Sequence, residues 1–313
     1  MAKHDSAKYA FLYLLSLVAL VFMSISVGII VFQIINKQIV DIIKDYAISY
    51  NDGAMKFAIS AIIVSAPIYY LTSRQIFKNL FAGILDKDAG VRKWLTYFIL
   101  LVSVVVMIGF LIATINSFLG GDLTTKFILK TLTALAISGT VFSFYFYDIR
   151  REEVQGQKNK TISMYAWVSL AVVAAVFVLS WFFVDSPVET RNKKIDREVV
   201  NNLYEINSAV INYYTLNEKM PEDLATLMNT ETGYRLSEKA LQQPDGKKYY
   251  DYEVTADDEY KICADFLTSN LDGNDAMYYP SGDYKHDKGY QCFSQKVSSA
   301  NGEKTIPAPV MIK

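Results

Sequence analysis

The chain has 313 residues, enough for about two domains, of which 52% are hydrophobic and 20% charged. That average hides a split: Met1–Val184 carries 16 Lys and Arg against 10 Asp and Glu, whereas Asp185–Lys313 carries 15 against 22. A basic apolar half joined to an acidic polar half excludes a single soluble globule, and the acidic half argues against nucleic acid as a partner.

Uncharged runs cover residues 9–36, 57–73, 94–121, 131–147 and 161–184. Crossing a hydrocarbon core of roughly 30 Å takes about 20 helical residues, so the first, third and fifth runs are ample. The second and fourth hold 17 uncharged residues each. They reach a full span once Lys56 and Lys130, near their starts, extend their ammonium groups toward water. Five membrane spans are therefore expected. The first apolar run exceeds a signal-peptide core of about 7–15 residues and lacks a small-x-small exit, so it reads as a retained span.

Orientation follows from the flanking bases. Lys3, Lys8, Arg74, Lys78, Lys87, Arg92, Lys93, Arg150, Arg151, Lys158 and Lys160 lie on one side, and Lys37, Lys44, Lys56, Lys126 and Lys130 on the other. The excess puts the N-terminus in the cytoplasm, and an odd number of spans exports the acidic half. Both cysteines, Cys263 and Cys292, fall in that half, where an even pair in an oxidising compartment reads as a disulfide.

No Asp, Glu, Arg or His occupies the middle of a span, which argues against a proton-coupled pump. Ser24 and Gly28, and Ala134 and Ser138, have the four-residue spacing of close helix packing. Arg92 and Lys93 at a helix start, Asp122 and Lys126 in an external turn, and Asp148, Arg150 and Arg151 at a cytoplasmic exit read as salt-bridged helix ends. Among them Arg92, Lys93, Arg150 and Arg151 are the candidates for contact with lipid headgroups or a partner.

The segments FLYLLSLVAL from Phe11, AISAIIVSAPIYY from Ala58, VRKWLTYFILL from Val91, LGGDLTTKFILK from Leu119 and FYFYDIRRE from Phe144 resemble a four-span bacterial membrane domain catalogued as a family of unknown function. The resemblance covers about residues 8–152. It implies a fold and a membrane location and brings no activity.

After Pro187 apolar residues recur at helical spacing, at Ile195, Val199, Leu203, Ile206, Val210 and Tyr213 or Tyr214, marking an amphipathic helix with one buried stripe. Met220-Pro221-Glu222-Asp223-Leu224 has the proline and acids of a short helix start. Alternation over residues 249–254 and 260–266, with a turn at 256–259, predicts a hairpin, and 289–297 a third strand. The disulfide then ties the second strand to the last. A span running into an amphipathic helix laid on a small antiparallel sheet with a C-terminal disulfide resembles the pilin and pseudopilin fold, on INSAVINYYTLNEKMPEDLATLM from Ile206, PDGKKYYDYEV from Pro244, YKICADF from Tyr260 and KGYQCF from Lys288. A filament pilin has its own leader and an acidic residue near the start of its hydrophobic helix; here four spans precede that helix, so the module reads as fixed permanently to the membrane.

Asp272, Asn274, Asp275 and Asp283, with Asp287 beyond them, gather oxygens that can hold Ca²⁺, and some pseudopilins bind calcium in the equivalent loop. Asp, Asn and Gly also suit a solvated turn. The only histidines are His4 and His286, and His286 is expected at the surface. With no nucleophile elbow, phosphate-binding glycine loop or zinc spacing, the chain reads as a non-enzyme.

The expected fold class is an α-helical multi-span membrane domain of about five helices followed by a small α+β domain with one disulfide. Its divisions are a four-helix domain at 1–155, a fifth span at 156–186, the exported domain at 187–297 and a loosely ordered tail at 298–313. The functional reading is a scaffold, receptor or assembly subunit of a bacterial cytoplasmic membrane, with membrane lipid and envelope proteins or its own copies as partners. The alternative is a self-associating channel or transporter with a regulatory exported cap.

Overall fold

In hydrocarbon a backbone must satisfy its own polar groups, and each apolar run does so as a helix. The computed structural model describes residues 6–39, 50–86, 88–151, 156, 159–228, 236–244, 246, 248–271 and 284–297. Its first five helices are α1 (Ser6–Gln38), α2 (Asp52–Phe81), α3 (Gly90–Leu119), α4 (Thr125–Arg150) and α5 (Lys160–Ser180). All five are long and apolar enough to cross a membrane. The two short runs gain length from capped polar turns. The Asn51 side chain accepts from the Ala54 amide at 2.9 Å, and α2 starts five residues before the uncharged run. Thr124 accepts from the Phe127 amide at 3.3 Å, and α4 starts six residues before its run, each in the manner of a polar N-cap. Lys56, expected to reach for water, pairs with Asp52 one turn earlier.

The chain divides into two units, Met1–Val184 and Asp185–Lys313, so α5 groups with the four helices before it. In the first unit Leu20, Met23, Val27 and Ile30 of α1 pack against Met55, Ala58, Ile59 and Ile62 of α2. The small-residue spacing appears in the packing. A Cβ added to Gly28 would stand 3.7 Å from Ile137 Cδ1 of α4, and Ala134 and Ser138 are buried. Tyr50 Oη and Lys37 Nζ both donate to the Phe183 carbonyl, at 2.7 and 3.1 Å, which satisfies an acceptor just past the end of α5. Large apolar side chains such as Phe22, Leu101, Ile112 and Trp167 stay exposed on the outside of the bundle, as lipid contact requires.

The second unit begins with α6 (Pro187–Asn217), capped by Ser186 through the Glu189 amide at 3.1 Å, with Pro187 in the first turn. It ends at Glu218, whose φ of 53° is left-handed. Val199, Val200, Leu203, Ile206, Ala209 and Val210 form its buried stripe, and Ile195 is only half-buried. Facing it is an antiparallel sheet in the order β1 (Asp251–Ala256), β2 (Glu259–Phe266), β3 (Gly289–Lys296). Tyr260, Ile262, Ala264 and Phe266 point inward with Phe293 and close the core with α6. The intervening positions Lys261, Cys263 and Asp265 point to the other face, as strand alternation dictates.

Three expectations are corrected. The short helix expected from Pro221 is a single 3-10 turn at Ala225–Met228. Asp223 is the reason: its Oδ1 accepts from both the amide and the hydroxyl of Thr226, at 2.8 and 2.7 Å, so the turn starts after it. The first strand starts at Asp251 instead of residue 249, because Tyr249 forms an isolated bridge with Gln242 after the short helix α7 (Glu238–Leu241). His286, expected at the surface, is fully buried. The tail 298–313 lies outside the described residues.

Candidate functional site

In the helical unit the polar side chains converge at one end, where α3 starts and α4 finishes. Arg92 is the third residue of α3 and Asp148 stands two before the last of α4, so an antiparallel pairing of these helices brings them level. Arg92 Nη2 donates to Asp148 Oδ2 at 2.6 Å and also reaches the Asp148 carbonyl at 3.3 Å. Arg151, just past the end of α4, donates through Nε to Asp148 Oδ1 at 3.1 Å and pairs with the same oxygen through Nη2. Both guanidiniums and the carboxylate between them are almost wholly buried. Arg151 also lies 5.8 Å over the Phe77 ring of α2, joining a third helix.

Beside this triad is a cavity of about 40 Å³ lined by Tyr13, Ser16, Ser73, Thr96 and Tyr145 together with Arg92 and Asp148. That is room for a few water molecules. Ser16 and Ser73 hydroxyls meet across it at 3.3 Å. The buried Tyr13 hydroxyl has no hydrogen-bond partner among the described residues. Both oxygens of Asp148 accept from guanidinium donors, so the carboxylate acts as a clamp between helices and offers no open face for a ligand.

Of the four bases singled out for headgroup or partner contact, the structure brings together only Arg92 and Arg151, around Asp148. Lys93 pairs with Asp88 in an exposed bridge at 2.6 Å. Arg150 lies 4.0 Å over the Phe146 ring. The pair expected to close the external turn is also rearranged: Lys126 is 2% exposed and makes no ion pair with Asp122.

In the second unit Cys263 and Cys292 form the expected disulfide, at directly facing positions of β2 and β3. On the same sheet face Tyr290 donates to Asp251 Oδ2 at 2.6 Å. That hydrogen bond to the carboxylate, with partial burial, pushes the Tyr290 hydroxyl pKa up to about 12. The calcium candidates Asp272, Asn274, Asp275 and Asp283 lie outside the described residues. Asp287 is described, and it is exposed, accepting from the Lys288 amide at 2.8 Å.

What holds the two ends of that loop was not foreseen. Asn270 Nδ2 donates to the Tyr284 carbonyl at 3.1 Å, and Asn270 Oδ1 accepts from the His286 amide at 2.7 Å. The fully buried Asp196 of α6 accepts from the Leu267 and Thr268 amides and from the Thr268 hydroxyl, at 2.8, 2.7 and 2.5 Å. His286 stacks on Phe266, with ring centroids 3.6 Å apart. Burial pulls its pKa below the usual histidine range, which keeps the imidazole neutral at pH 7.

The sign of the resulting pH dependence is fixed. A histidine whose folded-state pKa is lowered binds its proton more readily unfolded, so its stabilising effect is present above the unfolded value of about 6.5 and is lost as pH falls below it. Hydrogen exchange of the full-length protein should therefore show β3 opening more often at pH 5.5 than at 7.5, after correction for intrinsic exchange. The excess should vanish in His286→Gln.

The helical unit thus defines a class, a multi-span membrane-type helical domain. Residues 9–145, which take in most of α1 to α4, match the family described as Domain of unknown function (DUF5671). The match stops short of α5 and of the whole second unit, and no pilin or pseudopilin family matches. No curated protein and no solved structure matches the chain.

Proposed function

We propose that this chain is a non-enzymatic integral protein of a bacterial cytoplasmic membrane that presents its second unit outside the cell as a pilin-like interaction domain. The observation that carries the reading is the Cys263–Cys292 disulfide, which uses both cysteines of the chain in the unit that follows five apolar helices. A disulfide persists in an oxidising compartment, and the lysine and arginine bias of the flanks supports an outside location for the same unit. The helix-on-sheet core supports the pilin-like comparison at the level of architecture. In this reading the second unit recruits an envelope protein, and the helical unit anchors it.

Two measurements on intact cells test this. A membrane-impermeant maleimide, applied after a membrane-impermeant reductant, should label Cys263 and Cys292; labelling only after lysis overturns the orientation. Crosslinking in cells followed by mass spectrometry should recover envelope proteins joined through lysines of Asp185–Lys313. Crosslinks confined to other copies of the chain through α1–α5 would instead favour the self-associating channel.

A further inference from the structure

Four helices meet beside the clamp, and each brings a polar side chain to the same place. Tyr13 and Ser16 stand three residues apart on α1, and Tyr145 and Asp148 three apart on α4, a spacing that puts each pair on one helix face. α2 adds Ser73 and α3 adds Arg92, and all of them line the cavity of about 40 Å³. Most of the hydroxyls answer one another. Ser16 meets Ser73 at 3.3 Å, and Tyr69, behind them on α2, hydrogen-bonds both Ser73 and Tyr145. Tyr13 stands outside this chain. Its side chain is only half-buried, yet its hydroxyl oxygen is wholly buried and has no partner among the described residues. The exposed part is therefore the ring, and the polar tip lies at the inner end, in the cavity wall.

Cavities that stay dry inside proteins are lined by apolar groups, whereas polar ones hold water bonded to about two to four partners. Roughly 10–15 Å³ admits one molecule, so this cavity takes about three. Water beside Tyr13 accepts from its hydroxyl and donates to the serine oxygens, since a hydroxyl that already bonds once keeps an acceptor lone pair. The wall formed by Arg92 and Asp148 gains as well, because hydration on one side reduces what a buried ion pair loses on leaving bulk solvent. We propose that this cavity is a binding site for ordered water, which bridges the Tyr13 hydroxyl to Ser16 and Ser73 and solvates one side of the Arg92–Asp148 pair. α1 and α2 are thereby joined to the clamp between α3 and α4 through solvent as well as through packing. The assignment is independent of the orientation and partners proposed above.

Thermal unfolding of the full-length protein in detergent, followed by helical circular dichroism, tests it through a sign. Removing a buried hydroxyl that bonds to nothing is neutral or stabilising, whereas removing one bonded to water destabilises. Tyr13→Phe should therefore lower the midpoint by about 2–4 °C, and an unchanged or raised midpoint overturns the proposal. A double-mutant cycle then reads the bridge. Tyr13 and Ser16 share no direct hydrogen bond, so coupling between them must pass through the water. Tyr13→Phe combined with Ser16→Ala should lower the midpoint by less than the sum of the two single changes. Full additivity overturns the bridge and the proposal with it. Salt identifies the occupant. The shift caused by Tyr13→Phe should be the same in sodium chloride and in sodium gluconate. A stabilisation by chloride that Tyr13→Phe abolishes would make the occupant a small anion and likewise overturn the assignment to water.

Discussion

Replacing Asp148 with Leu is expected to destabilise the helical unit by roughly 3–5 kcal/mol, the cost of leaving a buried ion pair with one partner. The reason is Arg92, whose side chain is 6% exposed and spends its guanidinium on that carboxylate. Without the carboxylate, the charge must be moved to water through the start of α3 or left bare in the bundle. The companion substitution shows that the effect is electrostatic. Arg92→Met with Asp148→Leu removes the cost at its source and should recover most of the loss, because a well-packed apolar pair often equals a buried ion pair in stability. Arg151, paired to the same carboxylate from the helix end, accounts for whatever is not recovered. Thermal unfolding in detergent, followed by the exposure of buried tyrosines, reads all three proteins. A single Asp148→Leu change that leaves the midpoint unmoved would contradict the clamp described above.

The second large effect belongs to the disulfide. Cys263 and Cys292 are 29 residues apart in sequence, and the chain-entropy model gives a closed loop of that size roughly 3–4 kcal/mol. The native strands are already paired in register from Glu259↔Lys296 to Phe266↔Gly289, so the bond adds little to what the folded sheet holds together. Its effect falls on the unfolded chain, which it prevents from separating the two strands. Cys263→Ser with Cys292→Ser should therefore leave the register intact while lowering the protection of β2 and β3 amides in hydrogen exchange of the full-length protein. The amides of α1 to α5 should keep theirs. Serine at both positions with unchanged protection would place the stability of the sheet elsewhere, in the α6 contacts.

The helices were legible because an uncharged run of about 20 residues has few structural options, and the sheet because aromatic and charged residues alternate through β2. The disulfide was legible from two cysteines and a compartment. The pairing of Arg92 with Asp148 was only half legible. A single acid among bases at a helix exit suggested a bridge, but its partner lies 56 residues away on another helix, and no local pattern names it. Lys126 was misread for a traceable reason. The uncharged run begins at residue 131, which left Asp122 and Lys126 looking like a bridged turn, whereas Thr124 caps a helix that starts at Thr125. The Thr-Thr-Lys-Phe sequence carried that cap signal. His286 was hidden by its neighbours, since a polar segment rich in Asp and Lys gives no hint that one ring will stack on Phe266. Asp196 was equally hidden as an acid one position from the apolar stripe of α6, where its role depends on amides 71 and 72 residues later.

The Asn270 contacts have a further consequence, for how this protein can change over time. By holding the Tyr284 carbonyl and the His286 amide, one buried side chain joins positions 14 and 16 residues further along the chain. A substitution there removes both contacts together and leaves a buried carbonyl and a buried amide without that partner, a cost of about 1–3 kcal/mol for each unsatisfied group. Position 270 is therefore expected to resist replacement among descendants of this sequence, while its exposed neighbours Ser269 and Leu271 are expected to vary more freely.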